Sequence, residues 1–196
     1  MSLGGASPIQ KEGVVLVTRI RTAPMRLRGY SLIEALVVIA VLSILASIAI
    51  PSAVEWITNM RMTSQANDLV ADILLARSEA GARGVSVTIC PSTDATTCLG
   101  SNDWSNGRIV RVVNVGGTAQ VLRVGSALSG ASSLLSWDAA SVPANSFGFG
   151  PYGNLVPLGG GATFRLCPDA NSSVKQGRTI SINTSGRPSV ARVTCP

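Results

Sequence analysis

Glu34 is the residue whose type and position most strongly suggest chemistry. It is a lone carboxylate at the head of a run, Ala35 to Val54, that holds no charged residue, and Arg26 and Arg28 stand just before it. A helix of about twenty such residues crosses a bilayer core of about 30 Å, and the basic residues mark its cytoplasmic flank. An acid deep in such a segment costs roughly 2.5–3.5 kcal/mol, so its presence reads as functional. The chemistry open to it is charge pairing with a cation inside a low-dielectric helix bundle. An ordinary secretory signal explains the apolar run and the small-x-small site Ser47-Ile48-Ala49, but not the acid. A plain single-span anchor leaves Glu34 only to snorkel at the interface.

The rest of the chain offers little to a catalyst. It has no histidine, which removes Ser-His-Asp and Cys-His catalysis and every His-based metal site. Asp94, Asp103, Asp138 and Asp169 are scattered, with no paired-carboxylate or ligand spacing. Serine-rich loops without a Ser-x-x-Lys motif supply no activated nucleophile. A membrane-anchored periplasmic enzyme is therefore the most remote reading; no catalytic residue, metal, cofactor or small-molecule substrate is expected. Cys90, Cys98, Cys167 and Cys195 include no Cys-x-x-Cys pair. An even count behind an export segment favours disulfides in an oxidising periplasm, and four cysteines allow three connectivities.

The net charge of +6 and the pI near 9.8 are misleading. Residues 1–29 carry Lys11, Arg19, Arg21, Arg26 and Arg28 against Glu12, so the remainder keeps only +2. That remainder is uneven: Arg165, Lys175, Arg178, Arg187 and Arg192 face Asp169 alone, which makes a basic tail.

These residues need elements to hold them. Pro51 should end or kink the apolar span, and Trp56 stands where an interfacial aromatic would sit. Beyond it Ala66, Leu69, Val70, Ile73, Leu74, Arg77 and Ala80 recur at helical steps, with Asp68, Asp72 and Glu79 between them. This is an amphipathic helix with its apolar face toward a core, stopped by Gly81 and Gly84. If continuous from Tyr30 to about Arg83, it is on the order of 80 Å long. Strand patterns follow. Val85, Val87 and Ile89 alternate up to Cys90, and Arg108–Val115 and Ala119–Val124 flank Gly116-Gly117 as a hairpin. Further candidates are Leu134–Trp137, Ser146–Phe149, Ala162–Leu166, Arg178–Asn183 and Val190–Val193. Short strands between Gly, Pro, Ser and Asn predict an antiparallel sandwich or meander, with Gly159-Gly160-Gly161 in a loop. About 112 residues suffice for one modest core.

The segment Gly29-Tyr-Ser-Leu-Ile-Glu34 before an unbroken apolar helix resembles a type IV prepilin. The later motifs narrow the family. Cys90-Pro-Ser-x5-Cys98, Asp103-Trp-Ser-Asn-Gly107 and Phe149-Gly-Pro-x-Gly153 occur in order, followed by Phe164-Arg-Leu-Cys167, Arg178-Thr-Ile-Ser-Ile and Ser185-Gly-Arg187. Together they resemble the GspH/FimT family of minor pilins and pseudopilins over nearly all of residues 25–196.

The resemblance implies an α+β fold, a long N-terminal helix packed on an antiparallel β-sandwich, divided at 1–29 (leader), 30–54 (transmembrane and filament-core helix), 55–84 (its amphipathic continuation) and 85–196 (β-rich domain). Met25-Arg-Leu-Arg-Gly29 is itself a compact basic leader, which makes Met25 an alternative start. Prepilin peptidase would cut after Gly29 and N-methylate Tyr30, and Glu34 would pair with the new amine and set the register of the incoming subunit. Its partners would be major and minor pilins or pseudopilins, in the inner membrane and then in a type IV pilus or type II secretion pseudopilus. Sequence proximity and the family pattern together imply the pairs Cys90–Cys98 and Cys167–Cys195. FimT-type members bind DNA through a basic Gly-Arg-x-Arg motif. Here Gly186-Arg187 is followed by Pro-Ser-Val-Ala before Arg192, a departure from that spacing. The alternative function is thus DNA uptake through Lys175, Arg178, Arg187 and Arg192. The bland one is a solvated strand edge. Tyr152 and Trp104 are the only loop aromatics for base stacking, so phosphate contact is the expected mode.

Overall fold

The structure, a computed structural model, describes residues 29–196 except 115–116, 131, 139–140, 142, 157–160 and 173. The expected leader with its alternative start Met25, the hairpin residue Gly116 and most of the Gly159–Gly161 loop lie outside the described residues. The chain divides into two compact units, with the boundary at Ser43/Ile44.

Among the described residues one helix, α1, spans Leu32–Arg83. It begins where the Ser31 carbonyl accepts the first helical hydrogen bond, from Ala35 N–H at 3.1 Å. Proline can neither donate nor avoid crowding the preceding turn, yet α1 does not end at Pro51; it runs through it. The end comes at Gly84, whose φ of +65° is open to glycine at little cost and whose N–H caps the Ala80 carbonyl at 3.0 Å. Gly81 lies inside the last turns and does not stop the helix.

In the second unit the late turns of α1 bury Met62, Ala66, Leu69, Ile73, Ala76 and Ala80. Two expected assignments change here. Leu74, placed on the apolar face, is 49% exposed, and Asp72, placed between apolar positions, is completely buried.

Among the described residues nine strands follow, β1 (Val87–Pro91), β2 (Arg108–Val113), β3 (Ala119–Gly125), β4 (Ser133–Asp138), β5 (Phe147–Phe149), β6 (Leu155–Val156), β7 (Ala162–Cys167), β8 (Gln176–Ile182) and β9 (Pro188–Thr194). They form two antiparallel sheets, ordered β3-β2-β1-β5-β6 and β4-β7-β8-β9. The β2–β3 hairpin carries a bulge between Val110 and Arg111. The two-residue β6 has too little pattern to be read from sequence.

The core draws on α1 and both sheets. Trp104 links the sheets, with its ring centroid 5.6 Å from that of Phe147 on β5 and 5.1 Å, edge-on, from that of Phe164 on β7. Its indole N–H donates to the Ala144 carbonyl at 3.3 Å. Such aromatic pairs add about 0.5–1.5 kcal/mol each beyond simple burial. Trp104 is fully buried, so it is a core anchor and not a surface aromatic for bases. Disulfides join Cys90 to Cys98 and Cys167 to Cys195. By loop-entropy arithmetic they contribute about 2.5 and about 3.5 kcal/mol. The second ties the C-terminus to the end of β7.

Candidate functional site

Glu34 lies in the first turn of α1. Free N–H groups and the positive end of the helix dipole favour a carboxylate there. Gly29 and Tyr30 precede the helix, and among the described residues a Cβ built on Gly29 meets no atom within 4 Å. Tyr30 is 85% exposed. From there to Met60 the helix leaves its large apolar side chains uncovered, among them Leu36, Ile39, Leu42, Ile48, Trp56 and Ile57. α1 is long and apolar enough to cross a membrane. A surface of this kind needs lipid or other protein around it.

A second feature escaped the sequence reading. Asp72 on α1 accepts from Arg108 Nε at the start of β2, and Arg123 Nε on β3 lies 2.8 Å from its other oxygen. That second contact is an ion contact without hydrogen-bond alignment. Asp72 and Arg108 are buried while Arg123 is 43% exposed, so this is a one-sided triad locking the helix to the hairpin. Gly125, opposite Arg108 in the register, makes room for it: a Cβ there would come within 2.7 Å of the Arg108 side chain.

The four tail cations do not converge. Arg178 on β8 is only 8% exposed; its guanidinium donates to the Gly177 carbonyl at 2.9 Å and to Thr63 Oγ1 on α1 at 3.0 Å. Burial, and then the neighbouring Arg192 charge, lower its pKa. Arg192 is exposed on β9, directly opposite Arg178 in the register. Arg187 is exposed before β9, five residues of near-extended chain or about 16 Å from Arg192. Lys175 donates to the Ala170 carbonyl at 3.1 Å. Arg178 and Arg192 are therefore paired, and Arg187 stands apart.

The loop closed by Cys90–Cys98 is organised around Asp94. Thr97 donates to it through both its hydroxyl and its N–H, at 2.6 and 2.8 Å, and Thr96 N–H donates at 2.9 Å. These bonds hold its carboxyl far below the usual carboxylate range. Ser92 Oγ also donates to Asp94, at 2.9 Å, so each of these donors belongs to its own loop and the carboxylate shapes that turn. Tyr152, at the β5–β6 turn, is 95% exposed.

A long helix, uncovered and apolar at its start and packed on two antiparallel sheets at its end, defines a pilin-like subunit. The comparisons agree. The family described as Type II transport protein GspH matches residues 65–186, and the Prokaryotic N-terminal methylation motif matches residues 24–50. The type IV minor pilin FimU of Pseudomonas aeruginosa is 26% identical, with a TM-score of 0.53 over 69% of this chain and 92% of that one. The minor pseudopilin EpsH from the type 2 secretion system of Vibrio cholerae shares the fold at 11% identity, with a TM-score of 0.50 over 67% and 96% of the two chains. No curated protein matches the sequence significantly. The chain belongs to the GspH family of minor pilins and pseudopilins.

Proposed function

We propose that this chain is a non-catalytic minor pilin, cut after Gly29, methylated at Tyr30 and assembled from the inner membrane into a filament. The observation that carries the reading is the uncovered apolar helix headed by Glu34, directly after the Gly29-Tyr30 junction. In the bilayer, lipid covers residues 35–54. In the filament, neighbouring helices replace it, while residues 85–196 with the end of α1 remain a folded periplasmic domain. The amine released at Tyr30 is a cation four residues from Glu34. Pairing the two, within a chain or between neighbours, offsets the cost of a carboxylate in an apolar bundle and fixes the axial register. The identity of 26% with a type IV minor pilin supports a pilus as the machine.

Sheared filaments test the reading. The mature chain should co-purify with them at low abundance relative to the major subunit, together with other minor pilins. Its exclusive recovery in the soluble periplasm would refute assembly.

A further inference from the structure

Resting on that assembly reading, we propose that Arg178 and Arg192 together receive a carboxylate side chain of a neighbouring subunit in the filament. Arg178 is nine-tenths buried, and the acceptors it meets, Gly177 O and Thr63 Oγ1, are both neutral. Its register partner across β8 and β9 is a second cation, Arg192. Directly opposed residues lie about 4.5–5.5 Å apart, and like charges there repel. Among the described residues neither arginine has an acidic partner, in contrast to Arg108 and Arg123, which meet Asp72, and Arg83, which meets Glu79. A buried charge without a counter-charge, beside another of the same sign, is destabilising in the isolated subunit. An acid supplied from outside removes both penalties at once.

The site is open to such an acid. β9 is the edge strand of its sheet, and the positions around Arg192 are exposed. Guanidinium groups accept a carboxylate through paired N–H donors, with direction as well as charge. A single acid fits better than a nucleic-acid backbone. Arg178 offers only a small opening, Lys175 is turned to Ala170, and Arg187 lies too far along the strand to extend a row of phosphate contacts. The exposed residue Arg192 admits the partner, and the buried Arg178 fixes it against α1 beside Thr63.

The test uses the full chain in cells that assemble the filament, with Arg192→Glu and Arg192→Lys compared with wild type. Arg192→Glu places a carboxylate opposite Arg178 and fills the receptor from within. Its melting temperature should equal or exceed that of wild type, while its recovery in sheared filaments falls at least about tenfold, as expected for losing a close charge pair across an interface. Arg192→Lys, which keeps the charge, should be recovered better than Arg192→Glu. Recovery of Arg192→Glu at the wild-type level overturns this site and leaves the assembly reading intact. Full incorporation with lost binding to a labelled DNA duplex would make the anion a phosphate and overturn it too. Absence of wild type itself from filaments overturns the assembly reading and the site with it.

Discussion

Asp72→Ala should lower the unfolding free energy by about 3–5 kcal/mol, because it strands the buried Arg108 guanidinium without a counter-charge. Arg123 does not compensate; it is a cation and adds repulsion once the acid is gone. The exposed Asp68, one turn earlier, is the control, and Asp68→Ala should stay within about 0.5 kcal/mol of wild type. Arg123→Ala should fall between them, since the Arg108 contact survives. Urea unfolding of the detergent-extracted protein, followed by tryptophan fluorescence, measures all three. Equal midpoints for Asp72→Ala and Asp68→Ala would show that the triad does not hold the helix to the hairpin. Replacing Asp72 and Arg108 together by apolar residues of similar volume should recover much of the loss, as buried ion pairs often allow.

Glu34→Ala is expected to act on assembly and leave folding alone. Glu34 is exposed at the start of α1 and is not one of the core residues. The domain should melt as wild type does, while recovery in filaments drops at least about tenfold, the size expected for a desolvated charge pair. Glu34→Gln, which keeps shape and hydrogen bonding, should be nearly as defective, because the proposed pairing with a Tyr30 amine requires a negative charge. Normal incorporation of both variants would remove Glu34 from the mechanism.

Much of this was legible in the sequence because the governing signals are local. The charge-free run Ala35–Val54, the alternation around Val87 and Ile89 and the Gly-bearing hairpin after Arg108 each declare an element within a few residues. What escaped depends on phase or on distant neighbours. Asp72 stands three residues after Leu69 and four before Ala76, on the buried stripe, but its charge argued for the surface. Its phase was the better guide; its partners lie 36 and 51 residues away. Trp104 sits in a loop and is buried only because Phe147 and Phe164 arrive from two sheets. Arg178 reads as a surface cation until the helix residue Thr63 is placed over it. The separation of Arg187 from Arg192 follows from the direction of β9, which composition does not reveal.

The central claim, that the uncovered helix belongs to a processed filament subunit, is tested most directly by the mass of the N-terminal peptide from membrane-extracted protein. The account predicts a chain that begins at Tyr30 and carries one methyl group on its α-amine. A chain that begins after Ala49, as signal-peptidase cleavage would give, or one that retains residues before Tyr30 in the assembled filament, would contradict it.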